Sequence, residues 1–231
     1  AKVGGLGAVQ WAGLGKTAAG IIVSPTVGFA LALLLVLIVS WTFLKSSPFW
    51  ADKVFRKLQF VSAAFYSLGH GGNDAQKTMG IIVGLLYSVR DQFANATGWQ
   101  SHLYVADTAH IPMWVAMGAY LCISLGTLFG GWRIVHTMGS RITRLRPVGG
   151  FAAEGGGALV ILAATKFGIP VSTTHTITGA IVGVGATNRL SAVRWGLASR
   201  IVWAWVVTIP AAAAMAAISY LLLSTTIAPS V

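Results

Sequence analysis

Residues 17–44 read TAAGIIVSPTVGFALALLLVLIVSWTFL, twenty-eight residues without one Asp, Glu, Lys or Arg. An apolar run of about 18 or more residues is long enough to cross the hydrocarbon core as a helix. The same pattern recurs along the chain. No such charge lies in the 25 residues between Asp107 and Arg133, in the 22 between Lys166 and Arg189, or in the last 31 after Arg200. Charged residues make up 9% of the 231 and hydrophobic residues 55%, where a soluble domain carries roughly 25% charge. A soluble enzyme, a disordered chain and a disulfide scaffold are excluded, and the expectation is an all-α, multi-pass integral membrane protein of the cell (inner) membrane.

The net charge of +11 is a topology signal rather than a nucleic-acid footprint. Lys45, Lys53, Arg56 and Lys57 form one basic cluster, Arg133, Arg141, Arg144 and Arg146 a second, and Arg189, Arg194 and Arg200 a third. The positive-inside rule puts loops 45–58, 133–147 and 189–200 in the cytoplasm and the 90–110 loop outside. The expected spans are about 18–44, 59–89, 111–132, 148–167, 168–188 and 201–224, with residues 1–17 outside. Residues 46–58 read as a separate interfacial helix, capped by Ser47 with Pro48 in its first turn. Cys122 lies in an apolar run and forms no intrachain disulfide.

A weak repeat joins the two ends. Trp11, Gly13, Leu14, Lys16, Ser24 and Pro25 are echoed by Trp195, Gly196, Leu197, Arg200, Thr208 and Pro210, and the topology makes the copies run in opposite directions. That pattern fits an inverted-repeat transporter. The expected division is residues 1–44 as the tail of a first repeat and 45–231 as the second.

Two stretches conflict with plain spanning helices. In lipid every backbone polar group needs a partner, and ionisable side chains at that depth mark pathways. Gly69, Gly71 and Gly72 surround His70 and precede Asn73, Asp74, Gln76 and Lys77. The glycines predict an unwound break, with Asn73 and Asp74 capping a second half-helix. Such a helix start attracts anions, while Asp74 is a hard ligand for a small cation or a proton. A loop with merely capping residues is the alternative. The second break is expected at Pro170, in the first turn of a helix, with Ser172, Thr173 and Thr174 offering hydroxyls beside free amides. Those hydroxyls bind an oxyanion or bond back to helix carbonyls.

Glu154, beside Gly155, Gly156 and Gly157, is a candidate for cation or proton coupling, or for a salt bridge to Arg146 or Lys166. His70 and His175 are candidate proton relays or packed polar residues. No Cys/His metal set, paired carboxylates or Walker-type loop is present, so no enzyme chemistry is expected.

These motifs resemble the inorganic phosphate transporter family in its bacterial form. His70-Gly71-Gly72-Asn73-Asp74-Ala75-Gln76-Lys77-Thr78-Met79-Gly80 looks like one family signature. Pro170-Val171-Ser172-Thr173-Thr174-His175-Thr176, with Gly179 and Gly183, looks like the other, and Phe151-Ala152-Ala153-Glu154 also matches a family segment. The resemblance implies an inverted repeat with a discontinuous helix and a re-entrant half-helix region in each half. It implies symport of inorganic phosphate with Na⁺ or H⁺ and no cofactor. Asn73, Gln76, Ser172, Thr173 and Thr174 would contact phosphate. Asp74 and Glu154 would serve the coupling ion or proton, as Na⁺ ligands if sodium is the ion. Gln76 and Lys77 stand where other branches carry Ala and Asn. The chain resembles the C-terminal half to two-thirds of a member, so the expected partners are the missing first repeat, the bilayer and a second copy of the chain; alone it would hold half a site. A sulfate permease of the same family and a non-transporting anion receptor are the alternatives.

Overall fold

The computed structural model describes residues 10–226; of the expected outer segment at residues 1–17, residues 1–9 lie outside them. Eight α-helices and short turns make up the described chain: α1 Trp11–Thr42, α2 Pro48–Ser88, α3 Arg90–Phe93, α4 Met113–Gly130, α5 Trp132–His136, α6 Pro147–Lys166, α7 Thr173–Asn188 and α8 Trp195–Thr226. No strand occurs among the described residues. Four helices (α1, α4, α6 and α8) are long and apolar enough to cross a membrane by length and composition.

The core is a three-helix unit of α1, α6 and α7. Residues 147–166 and 173–188 form a tight antiparallel hairpin: the Gly149 backbone lies against Val184 at its open end, and Gly157 against Ile177 further up. Small residues let α1 lie directly on α7. Gly20, Ser24, Gly28 and Ala32 recur every four residues on the buried stripe of α1. A Cβ at Gly28 would sit 2.6 Å from the Thr176 carbonyl oxygen, and one at Gly179 would overlap the Pro25 carbonyl. With little hydrophobic drive between helices in lipid, close backbone approach supplies the attraction. Around this seam Ala32, Ile142, Ala152, Ala153, Ala180, Ile181, Val184 and Val193 form a buried cluster.

Helix α2 packs its lower half on α6 and its upper half on α4, where Ala75, Met79, Val83, Val115 and Ala119 are buried together with Val105. Two expectations fail here. Residues 46–58 are not a separate helix but the first turns of α2, which runs 41 residues, or about 62 Å. Ser47 does cap it, accepting from the Trp50 amide at 3.3 Å, and Pro48 opens it. Nothing from Arg56 to Phe60 is a helix breaker, and Arg56 pairs with Asp52 one turn earlier at 3.0 Å. So the helix continues.

The break expected at Gly69, Gly71 and Gly72 is also absent: α2 is continuous through all three. Glycine costs about 1 kcal/mol relative to alanine in a helix, less than leaving carbonyls and amides without partners in a lipid setting. Gly69 serves packing instead, against Ile161 and Leu162 of α6. The side-chain links His70–Asp74 and Asp74–Lys77 span the turns around Gly71 and Gly72.

Between α6 and α7 the chain does leave the helix, over residues 167–172, with Gly168 at φ +63°. Pro170 does not occupy the first turn of α7. That helix starts at Thr173, because Ser172 is its N-cap and accepts from the His175 amide at 3.4 Å. Pro170 forms the tip of the hairpin, its carbonyl pressed against Gly20.

The two helices of the sequence echo are each 32 residues long, start at the matched Trp11 and Trp195, and carry an internal proline, Pro25 and Pro210. Contacts Gly20–Pro170, Gly28–Thr176 and Gly183–Phe29 make α1 parallel to α7. Helix α8 leaves the Ile142 end of the hairpin and reaches His175 with Trp205, so it runs antiparallel to α7 and to α1.

Candidate functional site at the hairpin tip

Asp74 is the centre of the site. Its Oδ1 accepts from Lys77 Nζ at 2.8 Å and from Asn73 Nδ2 at 3.1 Å. Its Oδ2 faces His70 Nε2 at 2.9 Å and accepts from Thr173 Oγ1 at 3.0 Å. Three of these groups come from one face of α2, because residues three and four apart are neighbours on a helix. The fourth comes from the first turn of α7, 99 residues on. The Val171 carbonyl at the tip completes the group, accepting from Lys77 Nζ at 3.2 Å and Asn73 Nδ2 at 3.3 Å. Tyr66 adds a further tie by donating to the Thr173 carbonyl at 3.2 Å. The tip packs beside Gly20, so the cluster sits level with the charge-free run of α1.

The start of α7 faces the Asp74 cluster with its first turn. Its free amides and dipole favour negative charge. Thr174 is exposed, Ser172 is partly exposed, and Thr173 is buried with its hydroxyl turned to Asp74. Thr176 and Thr178 instead donate back to the carbonyls of Ser172 and Thr174, so these two hydroxyls serve the helix. His175 stacks on Trp205 with ring centroids 3.8 Å apart, and its Nδ1 is buried without a partner among the described residues.

Glu154 belongs to a different place. Ser62 Oγ lies 2.7 Å from its Oε2, and Gln59 also hydrogen-bonds it. Ser62 and Asp74 are twelve residues apart on α2, a backbone rise of about 18 Å, so Glu154 meets this helix about three turns before Asp74. Glu154 lines a cavity of about 440 Å³ with Tyr66, Gln59 and Arg146, while Asp74 lines another of about 540 Å³ between α2 and α4 with Thr78, Trp114 and Cys122. Gln76, expected at the anion, is exposed two residues past Asp74, about 200° around the helix from it. Asn73, Asp74 and Thr173 are thus brought together with Ser172 and Thr174 close by, whereas Glu154 and Gln76 are not.

Tyr66, Ser62 and Gln59 were not singled out from sequence. The signal for them is present: polar residues at 59, 62, 66, 70, 73 and 77 follow the 3–4 spacing of one helix face. That stripe runs along α2 from the Glu154 cavity to the Asp74 cluster. Among the described residues no group of three or more His, Cys, Asp or Glu could hold a metal ion.

Apolar helices packed through glycine, four of them long enough to cross a membrane, define a helical membrane protein with a carboxylate closed by a hairpin tip. The chain belongs to the phosphate transporter family, whose sequence pattern it matches over residues 1–216. It is 60% identical over 216 residues to a probable low-affinity inorganic phosphate transporter of Rhizobium meliloti, covering 94% of this chain and 61% of that protein. It is 40% identical over 220 residues to the protein of the same description in Bacillus subtilis, covering 95% and 62%. The chain therefore spans about three-fifths of the length of these relatives. A solved structure described as the sodium-dependent phosphate transporter superposes with a TM-score of 0.79 over 96% of this chain and 70% of that one, at 21% identity. That likeness concerns the fold.

Proposed function

We propose that the full-length protein containing this chain moves inorganic phosphate across the cell membrane by secondary active symport with Na⁺ or H⁺. The observation that carries this reading is the junction of Asp74 with the start of α7, where a carboxylate and the amides and hydroxyls of a helix start share one place. The family and the names of its relatives supply the substrate.

A phosphate dianion entering a low-dielectric cavity needs compensation, and helix dipole and hydrogen bonds supply only part of it. Free amides of α7 with Ser172, Thr173, Thr174 and Asn73 bind the oxyanion. Asp74 at the same point holds the compensating positive charge, so that anion and positive charge are each held better when the other is present. Glu154, with Ser62 and Gln59, serves a second exchange of the coupling ion or proton further along the α2 stripe. The long helices α1 and α8, antiparallel and similarly built, belong to two inverted repeats, with residues 1–44 the tail of the first and 45–231 the second. Alternating access then follows from one repeat rocking against the other about the site. The basic segments 45–58, 133–147 and 189–200 are assigned to the cytoplasm.

The test is uptake of labelled phosphate by the full-length protein in vesicles under an imposed ion gradient. Concentrative uptake, competed by arsenate and not by sulfate, is expected. Equal competition by sulfate would move the substrate to that anion. Saturable binding without flux under any gradient would make the protein a receptor and sink the carrier.

A further inference from the structure

We propose that the Lys77 ammonium is the resident cation of the Asp74 site, so that Lys77 decides whether this site takes Na⁺. The proposal rests on the phosphate-carrier reading and concerns the ion at one place in it. The oxygens gathered here are a carboxylate from Asp74, a main-chain carbonyl from Val171 and a hydroxyl from Thr173. Hard oxygens from carboxylate and carbonyl are the kind of ligand that hard cations select. In this chain a unit positive charge is already among them. Lys77 Nζ is 2.8 Å from Asp74 Oδ1 and 3.2 Å from the Val171 oxygen, bridging α2 to the hairpin tip as a bound monovalent cation would.

Counting lone pairs makes the same point. A carboxylate offers about four acceptor positions and a carbonyl two. Asp74 faces four groups: Lys77, Asn73, His70 and Thr173. The Val171 carbonyl meets two, Lys77 and Asn73. A Na⁺ ion entering this set must displace a donor and sit beside a like charge. Removing the ammonium frees one position on each oxygen partner and leaves the carboxylate short of a cation. The donor set therefore suits Na⁺ only when residue 77 is neutral.

The experiment uses the full-length protein in vesicles and in detergent, with Na⁺ exchanged for choline at constant ionic strength. Wild type, Lys77→Arg, Lys77→Gln and Lys77→Ala are compared by phosphate uptake and by Tm. Wild type and Lys77→Arg are expected to behave alike in the two salts. Lys77→Gln and Lys77→Ala are expected to gain saturable Na⁺ stabilisation, with Na⁺ raising apparent phosphate affinity roughly fivefold or more, the lower end of ordinary coupling between two ligands. Neutral variants that lose phosphate affinity and gain no Na⁺ response would overturn the proposal, placing Lys77 on the anion. So would saturable Na⁺ stabilisation of wild type that Asp74→Asn removes, a result that needs no Lys77 variant to fold. Absence of phosphate uptake by wild type would strike the carrier reading alone, because the difference in Na⁺-dependent Tm still decides the role of Lys77.

Discussion

Replacing Asp74 by Asn removes one negative charge and turns an acceptor into a donor at the point where α2 meets the hairpin tip. The carboxylate now faces donors at 2.8, 2.9, 3.0 and 3.1 Å. An amide in its place keeps one acceptor oxygen and directs an NH₂ at two of those groups. Lys77 Nζ and Asn73 Nδ2 can only donate, so the amide oxygen faces them and the NH₂ faces His70 and Thr173, and Lys77 exchanges a carboxylate partner for a neutral one. A hydrogen bond to a charged group contributes about 1.5–3 kcal/mol, but the Asp74 side chain is 26% exposed and that of Lys77 51%, so water recovers much of the loss. A net cost of about 2–3 kcal/mol corresponds to a Tm lowered by roughly 4–12 °C for a chain of this size. If the same interactions hold the transport-competent state, uptake falls roughly 30- to 150-fold. Tm in detergent and initial uptake rate in vesicles measure the two effects. A double variant, Asp74→Asn with Lys77→Gln, removes both charges and is expected to recover about 1 kcal/mol relative to the sum of the single changes. An Asp74→Asn protein matching wild type in Tm and uptake, or a strictly additive double variant, would refute the linked cluster described here.

Thr173→Val deletes the 3.0 Å bond from α7 to Asp74; a loss of about 1 kcal/mol is expected, with uptake reduced and largely restored in Thr173→Ser. Gly179→Leu drives a side chain into the Pro25 carbonyl on α1; overpacking of about 3 kcal/mol or more should appear as a loss of monodisperse protein on size exclusion, while Gly71→Ala, with open space around it, should remain folded. In the loop at 104–112, Asp107 accepts from the His110 and Ala109 amides, both at 2.8 Å, and pairs with the His110 ring at 3.0 Å. The His110 amide, then its side chain, holds the Asp107 carboxyl below its ordinary value. The turn is thus supported above the ordinary carboxylate range and released as acid titrates the folded group. Protease cleavage in this loop should rise only on strong acidification, and Asp107→Asn should be cleaved at neutral pH as well.

Much of the architecture is legible from residue order, and the particular failures are informative. The capping of α2 by Ser47 and Pro48 was readable because capping is local chemistry between residues three apart. The turn at Gly168 to Ser172 was readable because a glycine, a proline and a capping serine fall together there. Gly69, Gly71 and Gly72 carry the same local signal and yet remain helical. Whether a glycine-rich stretch unwinds depends on what else can satisfy its backbone, and here α6 and the Asp74 pairs favour the intact helix. Pro170 was misplaced by one helical turn for a related reason: Ser172, not the proline, caps α7.

Charge scarcity and span length alone determine that this is a helical membrane protein, since solvation of apolar side chains depends on composition and not on partners. The motif residues alone suffice to identify its family. Only the tertiary structure decides that Asp74 meets Thr173, that Lys77 lies between the Asp74 and Val171 oxygens, and that Glu154 bonds to Ser62 instead of joining them. Those outcomes depend on which helices touch and at what height. Small residues on α1 and α7 set that height by letting the two backbones come together.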